Sequence, residues 1–418
     1  MTSASTVEAA EDERSGRPPS RVDGGRRWIA LIALAFFFGP AVAYVVGERA
    51  RPIENRGLSP RPTPAHGWRF FPETNTWFTD HLPLRRQAIE TNSSLTRRVF
   101  DEEPVYGTGG EPSGGSATAG VTGDDRAADA PAYPPVVSGR EGWLYSGEDF
   151  HKPCEPVRTV ADTLARLDRL ARMVEASGRR FVFTVAPNKS TVTPEFLPNE
   201  ILGRDCWESA SEDLWRALRE DPPDYYVDLR AALERQQKAD GVPIYLQLDT
   251  HWAPRAHGVY AEQLAEALEP GLWEGSKIVD AGSRQSGGDL AALVREDRTA
   301  RVQNWNVVRP GVTGDYQKPF RMGRTPHRLR QTSTDAKLFA PKTLLLADSF
   351  TQTARRNVVA LFADVSLLSI ETSKNEVAAA SIADAEVVVL EIVERYVVGS
   401  FSRMFNDNRL AAIEAALD

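Results

Sequence analysis

Four short apolar runs, each bounded by polar or turn-forming sequence, limit what the later part of this chain can become. They occupy residues 181–186, 225–229, 343–347 and 386–393. Runs of this length that are apolar at successive positions suit strands buried on both faces of a parallel sheet. Longer amphipathic stretches lie between them, at 157–176, 209–219, 255–268 and 351–362, with a last one at 401–417. Strand and helix patterns in alternation predict an α/β fold: an open parallel sheet flanked by helices on both faces. In that architecture ligands bind beyond the carboxyl ends of the strands, so the residues that follow each strand matter most.

At 418 residues the chain is long enough for several domains, or for one large domain with appendages. Its formal net charge of -8 gives no electrostatic footprint for nucleic acid, and no zinc-finger or RNA-binding signature is present. Nucleic acid is excluded as a partner.

Residues 28–46 read WIALIALAFFFGPAVAYVV, without a charged side chain. At helical rise they cover roughly 30 Å, the thickness of a hydrocarbon core. Three readings compete: a single transmembrane anchor, a cleaved signal peptide ending near Ala41-Val42-Ala43, and a buried core helix. An apolar face on every side argues against the last. Five arginines precede the segment (Arg14, Arg17, Arg21, Arg26, Arg27) and four follow it (Arg49, Arg51, Arg56, Arg61), a slim margin for an inside N-terminus. The only cysteines, Cys154 and Cys206, both lie beyond the span. An even pair fits a disulfide in an oxidising compartment, worth roughly 4 kcal/mol by loop closure; two unrelated thiols are the alternative. The expectation is a single-pass protein of the cell membrane with its main domain extracytoplasmic.

The expected organisation follows. Residues 1–27 form a polar, disordered cytoplasmic tail, and 28–46 the transmembrane anchor. Residues 47–103 are a Pro-rich juxtamembrane segment with a helix at about 83–100. Residues 104–135, dominated by Gly, Pro, Ala, Ser, Thr and Asp, are a flexible linker or insertion, and 136–418 form the α/β domain.

Two expected strand ends hold reactive side chains. The run 343–347 ends in Asp348-Ser349-Phe350, and an amphipathic stretch follows. A serine at such a turn is exposed at the sheet edge beside helix N-terminal N–H groups that can stabilise an oxyanion. It needs a base. The sequence Tyr245-Leu246-Gln247-Leu248-Asp249-Thr250-His251-Trp252 supplies one, with an acid two residues before a histidine. In an extended segment those two side chains point the same way, so Asp249 can orient His251 toward Ser349. Pro254 then opens the next helix. Taken singly, Ser349 also reads as an ordinary helix cap, and Asp249, His251 and His257, with Asp289, as metal ligands.

The set of motifs is recognisable as a whole. Asp-Thr-His-Trp at 249–252, Asp-Ser-Phe at 348–350 and Ala-Pro-Asn-Lys-Ser-Thr-Val at 186–192 occur together. With them stand Gly-Arg-Glu-Gly-Trp-Leu-Tyr at 139–145, Gly-Asp-Leu at 288–290 and Leu-Glu-Ile-Val-Glu-Arg-Tyr at 390–396. Upstream come Glu54-Asn55-Arg56 and Trp77-Phe78-Thr79-Asp80-His81-Leu82-Pro83. The chain thereby resembles the AlgX/AlgJ-like proteins of alginate O-acetylation, which carry an SGNH-hydrolase-like domain. The resemblance implies Ser349 as nucleophile, His251 as general base and Asp249 as its orienter, with no cofactor and no metal. It implies an O-acetyltransferase on an extracytoplasmic polysaccharide, supplied with acetyl groups by a polytopic membrane O-acyltransferase. The rivals are a carbohydrate esterase with the same triad and a non-catalytic polysaccharide assembly or binding protein. Where the family has Gly before Asp-Ser, this chain has Ala347.

Four further residues are candidates beside the triad. Asn188 and Lys189 follow the first strand and take an oxyanion or substrate role, or close a loop. Arg355 and Arg356, a turn or two into the Ser349 helix, meet an anionic sugar or simply solvate a helix face. Glu391, Glu394 and Arg395 are expected to form a structural ion pair. No carbohydrate-binding module is expected after the terminal helix, which leaves acceptor recognition to the cleft.

Overall fold

The computed structural model describes residues 61–81 and 133–418, with a few positions between 34 and 47. The expected tail (1–27), nearly all of the span (28–46) and of the linker (104–135), and the helix at about 83–100 lie outside these residues. Among the described residues no helix is long and apolar enough to cross a membrane.

The first unit contributes a 3₁₀ turn, Pro64–Arg69, running into helix α1 (Phe70–His81). Pro64 opens the turn, where its missing N–H costs nothing. This helix, which sequence reasoning did not name, ends just ahead of Pro83.

The second unit carries β1 (Val136–Ser138), β2 (Leu144–Ser146), α2 (Glu148–Cys154) and α3 (Val160–Ala176). It continues through β3 (Arg180–Ala186), α4 (Lys189–Val192), α5 (Arg204–Glu220), β4 (Tyr226–Val227), α6 (Leu229–Asp240) and α7 (Pro254–Leu268). Then come β5 (Lys277–Ser286), α8 (Asp289–Leu293), β6 (Ala300–Val308), β7 (Val312–Gly314) and β8 (His327–Ser333). It closes with β9 (Thr343–Ala347), α9 (Ser349–Val359), β10 (Asp364–Ser369), α10 (Asn375–Ala383), β11 (Val387–Val393), α11 (Glu394–Val398) and α12 (Asp407–Leu417).

The main sheet runs β4-β3-β11-β9-β10-β8-β7. Its first five strands are parallel; β8 and β7 extend it antiparallel. Alternate residues of the central strands enter two cores. Val182, Leu345 and Val389 face one, with Leu233 of α6, Val259 of α7 and Val358 of α9. Phe183, Leu346 and Leu390 face the other, with Leu170 of α3, Leu214 of α5 and Ile382 of α10. This two-sided burial is why β3, β9 and β11 read as largely apolar runs, each fully buried Val, Leu or Phe contributing roughly 1.5–3 kcal/mol.

Register brings the functional ends together. Val393 pairs with Ala186 and Leu390 with Leu346, so the carboxyl ends of β3, β11 and β9 share one edge of the sheet. Residues 188–189, 394–395 and 348–349 follow those ends. On the same unit Cys154 and Cys206 are joined as a disulfide that ties the end of α2 to α5, with Cα atoms 5.3 Å apart.

Two local expectations are corrected. The run 225–229 yields only the two-residue β4, because Asp228 accepts a hydrogen bond from the Ala231 N–H and starts α6 at Leu229. Asp249 and His251 do not end a strand: residues 245–252 form a tight loop closed by a single antiparallel bridge between Tyr245 and Trp252.

Candidate active site

The serine turn is built by carboxylates from both sides. Strand β9 is buried throughout and delivers Asp348 as the N-cap of α9, with Ser349 as its first helical residue. Asp348 Oδ1 accepts the Phe350 N–H at 2.8 Å and its Oδ2 accepts the Val393 N–H at 2.8 Å, which ties the turn to β11. Glu391 Oε2 accepts the Thr351 hydroxyl at 2.8 Å and the Thr351 N–H at 3.2 Å. Burial holds both carboxyls above their ordinary range, and the charge of Asp348 pushes Glu391 further the same way. With Phe350 and Thr351 engaged, the N–H of Ser349 is the first-turn donor that has no acceptor among the described residues. Ala347 keeps a negative φ, so its methyl is accommodated at this turn.

Ser349 is exposed, and His251 and Asp249 are half-buried behind it. His251 Nε2 lies 2.9 Å from Ser349 Oγ, and His251 Nδ1 lies 2.8 Å from Asp249 Oδ1. Asp249 Oδ1 also accepts the His251 backbone N–H at 2.9 Å, and its Oδ2 accepts the Asp289 N–H at 3.1 Å. Burial raises the Asp249 carboxyl, but the hydrogen bond and charge of His251, with the two backbone donors, outweigh it and hold Asp249 below its usual range. The His251 ring rests on Phe350, centroids 5.0 Å apart, and Trp252 packs edge-on against the same phenyl at 5.1 Å.

Lys189 takes the loop-closing alternative. Its buried ammonium donates to the carbonyls of Leu144 (2.5 Å), Leu246 (2.5 Å), Gln247 (2.9 Å) and Asp249 (3.2 Å), and lies over the rings of Trp143 and Tyr145. It fastens the loop that carries Asp249, and four main-chain acceptors leave it none to offer a substrate. Asn188 is wholly buried; its Oδ1 accepts from Arg395, and its N–H donates to Glu394 at 2.8 Å. The Asn188 Nδ2 has no partner among the described residues. The expected ion pair among Glu391, Glu394 and Arg395 is redirected as well. Arg395 reaches Glu148 and Asp149, while Glu394 accepts from Asn188, Thr191 and Ser211.

Arg355 and Arg356 line a cleft of about 370 Å³ with Asn304, Trp305, Asn306 and Asn357. Arg355 is braced by the carbonyls of Phe320 and Gln352 and by the Phe320 ring; Arg356 is exposed. Thr353, one helical turn beyond Ser349, belongs to the same wall. His257 lines it too and takes no part in the histidine–carboxylate group. Ligand atoms of Asp249, His251 and Asp289 lie within 4.8 Å of one another, a spacing that a divalent ion accepts, and the Nδ1 concerned already contacts Asp249.

The family described as "SGNH hydrolase-like domain, acetyltransferase AlgX" matches residues 136–353, just over half of the chain. The chain belongs to this AlgX family. The matched stretch contains Asp249, His251 and Ser349, and the sheet flanked by helices is accordingly an SGNH-like α/β fold. Among relatives, the probable alginate O-acetylase AlgJ of Pseudomonas syringae pv. tomato is 24% identical over 251 residues, covering 58% of this chain and 53% of its own. The probable alginate O-acetylase AlgJ of Pseudomonas aeruginosa is 30% identical over 210 residues, covering 49% of this chain and 47% of its own. The chain thus spans about half the length of these curated relatives. The solved O-acetyltransferase domain of Pseudomonas putida AlgJ is 20% identical, with 67% of this chain and 98% of that one covered at a TM-score of 0.43.

Sequence reasoning named the serine, histidine and first aspartate of this site but missed the parts that hold them. Trp252, Thr353, Asp348 and Glu391 are hydrogen-bonded across elements far apart in the chain, and only the buried acidic residue inside the apolar run 386–393 signalled any of it.

Proposed function

We propose that this chain is an O-acetyltransferase that passes an acetyl group through Ser349 to a hydroxyl of an extracytoplasmic polysaccharide. The observation that carries the reading is the relay Ser349–His251–Asp249, with contacts of 2.9 and 2.8 Å, ending on an exposed hydroxyl whose own N–H is free among the described residues. As Ser349 Oγ attacks the acyl carbonyl, His251 Nε2 accepts its proton, and Asp249 stabilises the imidazolium that forms. The Ser349 N–H, at the positive end of α9, donates to the developing oxyanion. Collapse expels the donor's leaving group, which takes the proton from His251 and leaves an acetyl ester on Ser349. A sugar hydroxyl then attacks that ester, with His251 again as base.

The names of the AlgJ relatives support acetyl transfer to a polysaccharide. The cleft lined by Arg355, Arg356 and Asn357 begins a turn from Ser349 and supplies donors for the acceptor sugar. The relay works with side chains and requires no cofactor. A polytopic membrane O-acyltransferase delivers the acetyl group, and residues 28–46 anchor the chain with this domain on the outer face. The disulfide, a bond of oxidising compartments, favours that placement.

Full-length protein in detergent, given p-nitrophenyl acetate and an oligosaccharide acceptor, tests this reading. The expectation is acetylated oligosaccharide from the native protein and none from Ser349→Ala of intact circular dichroism. Undiminished transfer by Ser349→Ala would refute the mechanism. Hydrolysis unaffected by the acceptor would make the protein an esterase with the same relay.

A further inference from the structure

The segment Gly288-Asp289-Leu290 lies against the backbone of Leu248-Asp249-Thr250 and exchanges hydrogen bonds with it in both directions. Asp289 Oδ1 accepts the Thr250 N–H at 2.7 Å, and the Asp289 N–H donates to Asp249 Oδ2 at 3.1 Å. The Ala291 N–H donates to the Leu248 carbonyl at 3.2 Å. The approach is so close that a Cβ at position 288 would stand 1.9 Å from the Leu248 oxygen, so only glycine fits there. Leu290 anchors the segment from below, buried in a small core with Leu248, Val136 and Leu144. Asp289 Oδ2 is left 3.6 Å from His251 Nδ1, on the side of the imidazole that already meets Asp249.

We infer that Asp289 is a positioning residue of the relay. It fixes Thr250, the residue between acid and base, and sets a second carboxylate beside His251 Nδ1. Thr250 sits between two side chains that must point the same way, and its N–H cannot turn while Asp289 holds it. Asp249, tied at Oδ2 by the Asp289 N–H, is left with Oδ1 for the imidazole. The second carboxylate attracts the imidazolium formed when His251 takes the serine proton, without touching substrate itself. The inference rests on the acetyl-transfer reading, because it concerns the same histidine.

The test compares Asp289→Ala and Asp289→Asn with the native chain and with Ser349→Ala. Asp289→Asn keeps an oxygen for the Thr250 N–H but loses the charge; Asp289→Ala loses both. The inference predicts that Asp289→Ala lowers kcat about tenfold to a hundredfold while KM stays within about twofold, with Asp289→Asn recovering part of kcat. It also predicts that the downfield proton resonance of His251 Nδ1–H, read without substrate, broadens in Asp289→Ala and persists in Asp289→Asn. Native kcat together with a sharp native resonance in Asp289→Ala would overturn the positioning role. Full activity in Ser349→Ala would instead remove the transfer reading beneath it, so the two failures are distinct.

Discussion

The indole N–H of Trp252 donates to the hydroxyl of Thr353 at 3.1 Å. Trp252 follows His251 in the chain, and Thr353 lies one turn beyond Ser349 on α9. The same hydroxyl donates on to the Phe350 carbonyl at 2.7 Å. The loop of His251 and the helix of Ser349 are thus fastened to each other beside the 2.9 Å contact between those two residues. Trp252 is 1% exposed, so this bond lies in the interior.

Trp252→Phe keeps an aromatic ring in this place but removes the donor. Loss of one buried hydrogen bond should cost about 1 kcal/mol, visible as a lower urea midpoint. The larger effect should fall on kcat, on the order of tenfold, since small displacements of a base from its nucleophile are costly. Steady-state kinetics with KM and kcat separated checks it; an unchanged kcat would show that the bond does not set the His251–Ser349 distance.

Lys189→Met should be more destructive than its distance from the chemistry suggests. It leaves the carbonyls of Leu144, Leu246, Gln247 and Asp249 buried without their shared donor. A loss of about 3 kcal/mol or more is expected in chemical unfolding. Lys189→Arg should not restore it, because a planar guanidinium cannot converge on four carbonyls as an ammonium does.

Reduction, or a Cys154→Ser/Cys206→Ser double variant, opens a loop of 52 residues. Chain entropy predicts a loss of about 4 kcal/mol, with activity retained at temperatures where the domain stays folded. Thermal unfolding with and without a reductant measures this directly.

Acid sensitivity has an identifiable contributor in His257. Burial lowers its imidazole from 6.5 to about 3, aided by the charges of His251 and Arg355, and its Nε2 has no partner among the described residues. The unfolded chain takes up this proton near the ordinary value and the native state does not until about 3. Between those limits the unfolded state binds more protons, so stability falls as pH falls, by up to about 1.4 kcal/mol per pH unit. His257→Phe should flatten that slope. Equal slopes for the two proteins in urea titrations across this window would contradict it.

The sheet's centre was legible because β3, β9 and β11 are buried on both faces, which writes a largely apolar run into the sequence. Elements without that signature were missed. Strand β5 is largely exposed along its hairpin with β6, and its polar residues carry no period to read. Helix α6 was hidden because Asp228 turns an apparent strand into a cap. At the site, Asp249 and His251 were legible as a pair, but by a wrong local geometry: they share a direction through a bridged loop clamped by Lys189 and Asp289, not through an extended strand. Contacts between segments so far apart leave no trace in spacing.

The central claim is that Ser349 itself carries the acetyl group. Full-length protein is incubated with p-nitrophenyl acetate without acceptor, quenched in acid, digested and read by mass spectrometry. The account predicts one acetyl group on the peptide containing Ser349, lost when an oligosaccharide acceptor is added before the quench and absent from Ser349→Ala. No adduct on that peptide while acetylated oligosaccharide accumulates, or product formed at the native rate by Ser349→Ala, would contradict it.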